Sequence, residues 1–307
     1  MGNDRPTEVL MLHSGALGDC ALTVHAARCM SRSWGDPPVT LAARSPLVRW
    51  AKRRGLIAGA VMLDDIGAHH LYLPADSVPE RLSAFLDGFD LIVSFLGGPE
   101  ETVSARLRDI APAHVIAIDP KPTEQTVHLG RHITQQWLEA AGVLPDESRD
   151  VFDFERTTTG GRNVLIHPGS GGVEKCCPLE ALEQLVTTLR DCGWTPSWII
   201  GPDEMERDGE LLVRRLEQIA PVVYEESIER AAEMTSHTDL YIGNDAGLTH
   251  VAALAGVRTV AIFGSSDPRV FRPLSPNVMV ASFPDGDSSV ADWANSLLAA
   301  RFRAVRD

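Results

Sequence analysis

The side chains best placed to do chemistry in this chain gather at glycine-containing turns. The densest group is Asn244-Asp245-Ala246-Gly247-Leu248-Thr249-His250, between the apolar run 240–243 and a small-residue stretch over 247–255. The first N–H groups of a helix starting there lack intrahelical acceptors and lie at the positive end of the helix dipole, where a diphosphate docks. Asp245 stands just before that helix and can cap it or face a ligand. His250, one turn in, points at a phosphate or fills the packing against the next strand. Two other turns share this character. Gly15-Ala16-Leu17-Gly18-Asp19 presents a carboxylate at a helix start, where capping is again the alternative role, and His167-Pro168-Gly169-Ser170-Gly171-Gly172 is followed by Lys175.

These turns need strands to end at them and helices to begin after them. Apolar runs at 8–12, 39–42, 60–63, 90–95 and 114–119 read as strands, with helices over 20–30, 79–87, 101–109 and 128–141. Periodicity is lost over 143–161, which contains Pro145, a charge cluster and Thr157-Thr158-Thr159-Gly160-Gly161, and this stretch reads as a linker. A second alternation follows: strands at 163–166, 197–200, 222–223 and 240–243, helices over 178–192, 207–219, 227–237 and 247–255, and a further apolar strand that closes the stretch ending at Gly264, with a helical tail over 288–302. Strands that alternate with helices pair in parallel, so the expectation is an α/β chain of two domains, 1–150 and 151–307. Ligand turns at the carboxyl ends of both sheets imply a cleft between the domains.

Composition narrows the function classes. A length of 307 residues suits two domains, and a hydrophobic content of 44% supplies two cores. The formal net charge of -14 argues against nucleic-acid binding, which needs clustered cations on phosphates. Cations do concentrate at Arg44, Arg49, Lys52, Arg53 and Arg54, around Trp50; this patch is a solvated helix face or meets an anionic acceptor or the cytoplasmic face of a membrane. The cysteines are five, Cys20, Cys29, Cys176, Cys177 and Cys192, with no CxxC spacing, which fits reduced thiols in the cytoplasm better than zinc or disulfides. No basic leader precedes a long apolar run, and no apolar stretch approaches the roughly 20 residues of a spanning helix. A dinucleotide dehydrogenase is disfavoured, because the GxGxxG pattern fails at His13 and the second strand ends at Arg44 rather than an acid.

With Gly201-Pro202-Asp203-Glu204, the three turns make four segments in order: Gly15 to Asp19, His167 to Gly172 with Lys175 and Pro178, Gly201 to Glu204, and Asn244 to His250 followed by Ala252-Ala253-Leu254-Ala255-Gly256-Val257 and Phe263-Gly264. In this order and spacing the chain resembles the ADP-heptose:lipopolysaccharide heptosyltransferases, glycosyltransferase family 9. The resemblance implies the GT-B architecture, two Rossmann-like domains with parallel sheets facing across a cleft. It implies an acceptor-side N-terminal domain and a C-terminal nucleotide-sugar domain whose last helix is able to return to the first. It also implies inverting transfer without a metal or other cofactor. By the same match Asp19 is the catalytic base. Ser170, Gly171, Lys175, Gly247, Leu248, Thr249 and His250 hold the donor diphosphate, Glu204 the nucleoside and Asp245 the donor sugar. His13, Gly15 and Gly18 form the acceptor-side turn. Two departures stand out: Cys176-Cys177 replaces the residue pair ending in tryptophan that usually follows the lysine, and His13 replaces a more basic residue.

The expected activity is transfer of heptose from ADP-heptose to a lipopolysaccharide core or another cell-surface glycan. The competing readings are a non-catalytic nucleotide-sugar-binding protein, and a GT-B hydrolase or epimerase of nucleotide sugars.

Overall fold

In a computed structural model, which describes residues 6–33, 35–74, 77–119, 161–283 and 293, the apolar runs that end at the polar turns are strands, and all their pairings are parallel. The chain divides into two units, Met1–Phe152 and Asp153–Asp307.

The first unit holds β1 (Val9–His13), β2 (Val39–Ala43), β3 (Gly59–Met62), β4 (Leu91–Ser94) and β5 (His114–Ala117), in the order β3-β2-β1-β4-β5. Helices α1 (Leu17–Ser33), α2 (Leu47–Arg53), α3 (Glu80–Leu86) and α4 (Thr102–Ile110) and a 3-10 turn at Ala68–Tyr72 connect them. Both central strands, β1 and β4, are buried along their whole length, which is why they read as unbroken apolar runs rather than alternating ones. Leu10, Leu12 and Ile92 pack with Leu82 of α3 and Leu107 of α4 in one cluster.

In the second unit β6 (Asn163–His167), β7 (Thr195–Ile200), β8 (Val222–Tyr224), β9 (Leu240–Asn244), β10 (Arg258–Phe263) and β11 (Val278–Ser282) take the order β11-β10-β9-β6-β7-β8. Its helices are α5 (Leu179–Asp191), α6 (Pro202–Glu217), α7 (Ile228–Ser236), α8 (Gly247–Leu254) and α9 (Pro268–Phe271). Helix α5 buries Ala181, Leu182, Leu185, Val186 and Leu189, a stripe at helical spacing that packs with Trp198 of β7. Full burial of each such leucine contributes about 1.5–3 kcal/mol.

Each sheet grows in one direction from its first strand and then resumes on that strand's other side. The resulting switch points lie between β1 and β4 and between β6 and β9. Open parallel sheets bind ligands outside the carboxyl ends of the strands at such points. The turns after β1, β6 and β9 are the three glycine turns of the sequence.

Four elements differ from expectation. Helix α6 begins at Pro202 rather than at 207, because Pro202 starts the helix and the Glu204 carboxylate accepts the Gly201 N–H at 2.8 Å, satisfying a donor the helix cannot. Its interior is interrupted at Gly209, whose φ of 62° is not helical. Strand β9 runs through Asn244, opposite Ile262. Strand β11 and helix α9 have no counterpart in the sequence reading. In the basic stretch Arg44, Arg49, Lys52, Arg53 and Arg54 are exposed, whereas Trp50 is fully buried under α2. The helix expected over 128–141 and the tail over 288–302, save Trp293, lie outside the described residues, as does the linker over 143–161 apart from Gly161.

Candidate active site

In the second unit the site is assembled around Asn244, the last residue of β9, which has no solvent exposure. Its Nδ2 donates to the carbonyls of Pro168 at 2.7 Å and Gly169 at 3.3 Å, and its Oδ1 accepts the Cys177 N–H at 2.9 Å. One buried amide thus ties both ends of the turn after β6 to the strand beside it. Ser170 adds a second tie, its hydroxyl donating to the Asp245 carbonyl at 2.6 Å. That hydroxyl proton is committed to the backbone, so Ser170 fixes the turn through its side chain. Gly171 sits at the exposed tip of the turn.

Asp245 does not cap α8. Its N–H donates to the Ile262 carbonyl, so its backbone still belongs to the sheet, and the N-cap position falls to Ala246. The carboxylate turns instead to Lys175 Nζ at 3.2 Å and Ser266 Oγ at 2.7 Å, both on Oδ2. Lys175 also lies over the Phe271 ring, 5.8 Å from its centroid. An aromatic from α9 therefore sits by the lysine, although Cys176-Cys177 follows it in sequence. Cys177 is buried, and burial pushes its thiol up to about 12, so it is a packing residue rather than a nucleophile.

Beyond Asp245 comes the start of α8, where an anion site is expected from the sequence. Among the described residues the N–H groups of Gly247 and Leu248 donate to no backbone carbonyl, while that of Thr249 is taken by Ala246. The Thr249 hydroxyl turns inward to the Asn244 carbonyl at 2.6 Å, so of these three residues only Gly247 and Leu248 keep backbone donors that no carbonyl takes. His250 is 8% exposed on the same helix.

Glu204 is 3% exposed. One oxygen holds the Gly201 N–H, and the other stands 3.6 Å from Nε2 of His167, the last residue of β6. Burial pushes its pKa up, but the His167 imidazole and the N–H groups of Gly201 and Glu204 outweigh this and hold it below the usual range. A Cβ on Gly169 would collide with Glu204 Oε1, so only glycine lets the two turns approach this closely.

In the first unit Gly18 and Asp19 occupy the first turn of α1, and Asp19 Oδ2 accepts the Ala16 N–H at 3.3 Å. A Cβ on Gly15 would meet His13 Nε2 at 2.8 Å and Asp19 Oδ2 at 2.9 Å, so imidazole and carboxylate converge on one face of Gly15. His13 is 2% exposed, stacks edge-on against Phe95 at 6.2 Å, and its Nδ1 has no hydrogen-bond partner among the described residues. Burial lowers its pKa from 6.5 to about 4, so the cation expected at this turn is replaced by a neutral ring. The unfolded chain then takes up the proton before the folded one. Stability should fall by about 3 kcal/mol as pH drops through the window from the ordinary histidine value to the lowered one. Urea unfolding across this window measures the loss, and His13→Gln should flatten that part of the profile.

Of the residues that meet here, Ser266 and Phe271 lie outside the motifs read from the sequence, and His167 stands in its turn motif without an assigned site role. Ser265-Ser266-Asp267-Pro268 is a polar turn at the end of β10, the same signal that exposed the other turns, and was open to the same reading. Among the described residues no three His, Cys, Asp or Glu side chains group as a metal site, and no helix is long and apolar enough to cross a membrane.

The sequence model of glycosyltransferase family 9 (heptosyltransferase) matches residues 93–292. No curated protein sequence matches. Solved structures similar in fold include these three. E. coli heptosyltransferase WaaC with ADP has 15% identity and a TM-score of 0.71, with 96% of this chain and 99% of that one covered. The E. coli ADP-heptose lps heptosyltransferase II has 15% identity and a TM-score of 0.72, with 97% and 99% covered. The family 9 glycosyl transferase from Veillonella parvula DSM 2008 has 17% identity and a TM-score of 0.72, with 98% of each chain covered. The two parallel-sheet α/β domains match the GT-B structures of these heptosyltransferases.

Proposed function

The chain belongs to glycosyltransferase family 9, the heptosyltransferase family, and from this premise we propose that it moves heptose from ADP-heptose to a lipopolysaccharide core or another cell-surface glycan, in the cytoplasm and with inversion. The observation that carries the donor assignment is the conjunction of Lys175, Asp245 and the Gly247 and Leu248 N–H groups around the β6/β9 switch point.

In the proposed reaction the acceptor hydroxyl oxygen forms a bond to the anomeric carbon of the donor while the bond from that carbon to the β-phosphate oxygen breaks. The hydroxyl proton passes to Asp19, assigned by its match to the family's N-terminal aspartate. Charge growing on the departing ADP is met by Lys175 and the start of α8, donors already in place before the reaction. These protein groups supply the stabilisation that a metal would otherwise give, so the proposal invokes none. Asp245 holds hydroxyls of the sugar and His250 supports the phosphate end. Glu204, already engaged by Gly201 and His167, shapes the nucleoside end with the oxygen that faces Gly169.

The test is ADP release from ADP-heptose with and without a truncated lipopolysaccharide acceptor, paired with calorimetry. Release should require the acceptor, and Lys175→Ala should weaken ADP-heptose binding about tenfold, the loss of a charge-assisted contact at a half-exposed site. Equal release without acceptor would make the protein a hydrolase, and unchanged affinity in the variant would remove Lys175 from the diphosphate.

A further inference from the structure

Ser266 reaches the donor site from a strand end that the family match does not assign. Its hydroxyl donates to Asp245 Oδ2 at 2.7 Å, the same oxygen that Lys175 approaches at 3.2 Å. The Asp245 side chain is 7% exposed, and a carboxylate buried to that degree needs hydrogen-bonding partners in place of the water it has lost.

Its two partners respond differently to a donor. Lys175 is 36% exposed and carries the charge that a diphosphate attracts, so donor oxygens compete with Asp245 for its ammonium. Ser266 is neutral, partly buried and held in the short stretch before α9, where Asp267 caps the helix by accepting the Arg269 N–H at 2.8 Å. A diphosphate offers it no comparable pull. Both contacts use Oδ2, which leaves Oδ1 as the oxygen able to receive a sugar hydroxyl.

We propose that Ser266 is the positioning residue of the donor-sugar subsite: it keeps Asp245 aligned on the sugar when the diphosphate draws Lys175 away. This rests on the reading that Asp245 receives the donor sugar. A donor lacking its sugar makes no use of that alignment, so Ser266 discriminates ADP-heptose from ADP rather than adding affinity for both.

The experiment is calorimetric titration of ADP and ADP-heptose into wild type, Ser266→Ala, Ser266→Thr and Asp245→Asn, with the melting temperature of each variant as a check on folding. Ser266→Ala should weaken ADP-heptose binding about tenfold, as expected for a hydrogen bond to a charged group. Its ADP affinity should stay at the wild-type value, and Ser266→Thr, which keeps the hydroxyl, should restore ADP-heptose binding. Asp245→Asn should remove the difference between the serine and alanine forms when the two changes are combined. Wild-type behaviour of Ser266→Ala, or equal loss of both ligands, overturns the role of Ser266 alone. Wild-type protein that binds ADP-heptose no better than ADP, with Asp245→Asn unchanged, overturns the sugar assignment of Asp245 and this proposal with it.

Discussion

Asp19→Asn is expected to slow sugar transfer by about 10²–10⁴-fold, the range that a positioned general base contributes. The amide is nearly the same shape as the carboxylate and still offers an oxygen to the Ala16 N–H at the head of α1, so the turn should keep its geometry. What it loses is the capacity to take a proton from the acceptor hydroxyl. The donor groups around Lys175 are in the other unit and are untouched, so affinity for ADP-heptose should remain at the wild-type value. Single-turnover transfer measured beside calorimetry separates the two quantities. Wild-type turnover would end the assignment of Asp19 as base, and a fall in melting temperature with proportionate loss of activity would return it to a helix-start residue.

The second large effect is expected on stability. Asn244→Ala deletes the side chain that binds the Cys177 N–H and the Pro168 and Gly169 carbonyls. Unpaired buried polar groups cost about 1–3 kcal/mol each, so the three partners together set a penalty of about 3–9 kcal/mol, a large part of the roughly 5–15 kcal/mol typical of a folded domain. The turn from Pro168 to Cys177 would also lose its anchor to β9, and Lys175 lies on that turn. Urea unfolding should therefore show a much lower midpoint, and ADP-heptose affinity should fall even under conditions where the variant is folded. A midpoint near wild type would mean that the turn holds itself, through Ser170 and the packing of Cys177. Asn244→Asp is the stricter companion, because a carboxylate can accept from Cys177 but cannot donate to either carbonyl.

Much of this architecture is legible in the residues themselves. The runs 9–12 and 164–166 are apolar without alternation because strands at the centre of a parallel sheet are covered on both faces, and each ends where glycine and polar residues begin. Gly15 and Gly169 were readable as turn residues. Their reason was not: at one, an added carbon would strike His13 and Asp19, and at the other, Glu204.

The roles of Asp245 and Glu204 show where local reading stops. Each stands beside a helix start, and local chemistry allows each to cap. Glu204 does so, because its helix begins at Pro202 and puts the carboxylate at the third position, within reach of the Gly201 N–H. Asp245 does not, because pairing with β10 extends to its own N–H and moves the helix start one residue on.

By itself, then, the sequence determined the alternation of strands and helices, the places where ligand turns interrupt it, and through their order the family. Those properties reside in short runs of side chains, where burial periodicity and backbone freedom act locally. Only the tertiary structure decided which polar atoms face one another: Lys175 and Ser266 on a single oxygen of Asp245, Asn244 holding the turn after β6, and Phe271 beside the lysine. Those meetings join residues from 21 to 96 positions apart. They follow from the strand order that sets β9 between β6 and β10, which no local pattern encodes.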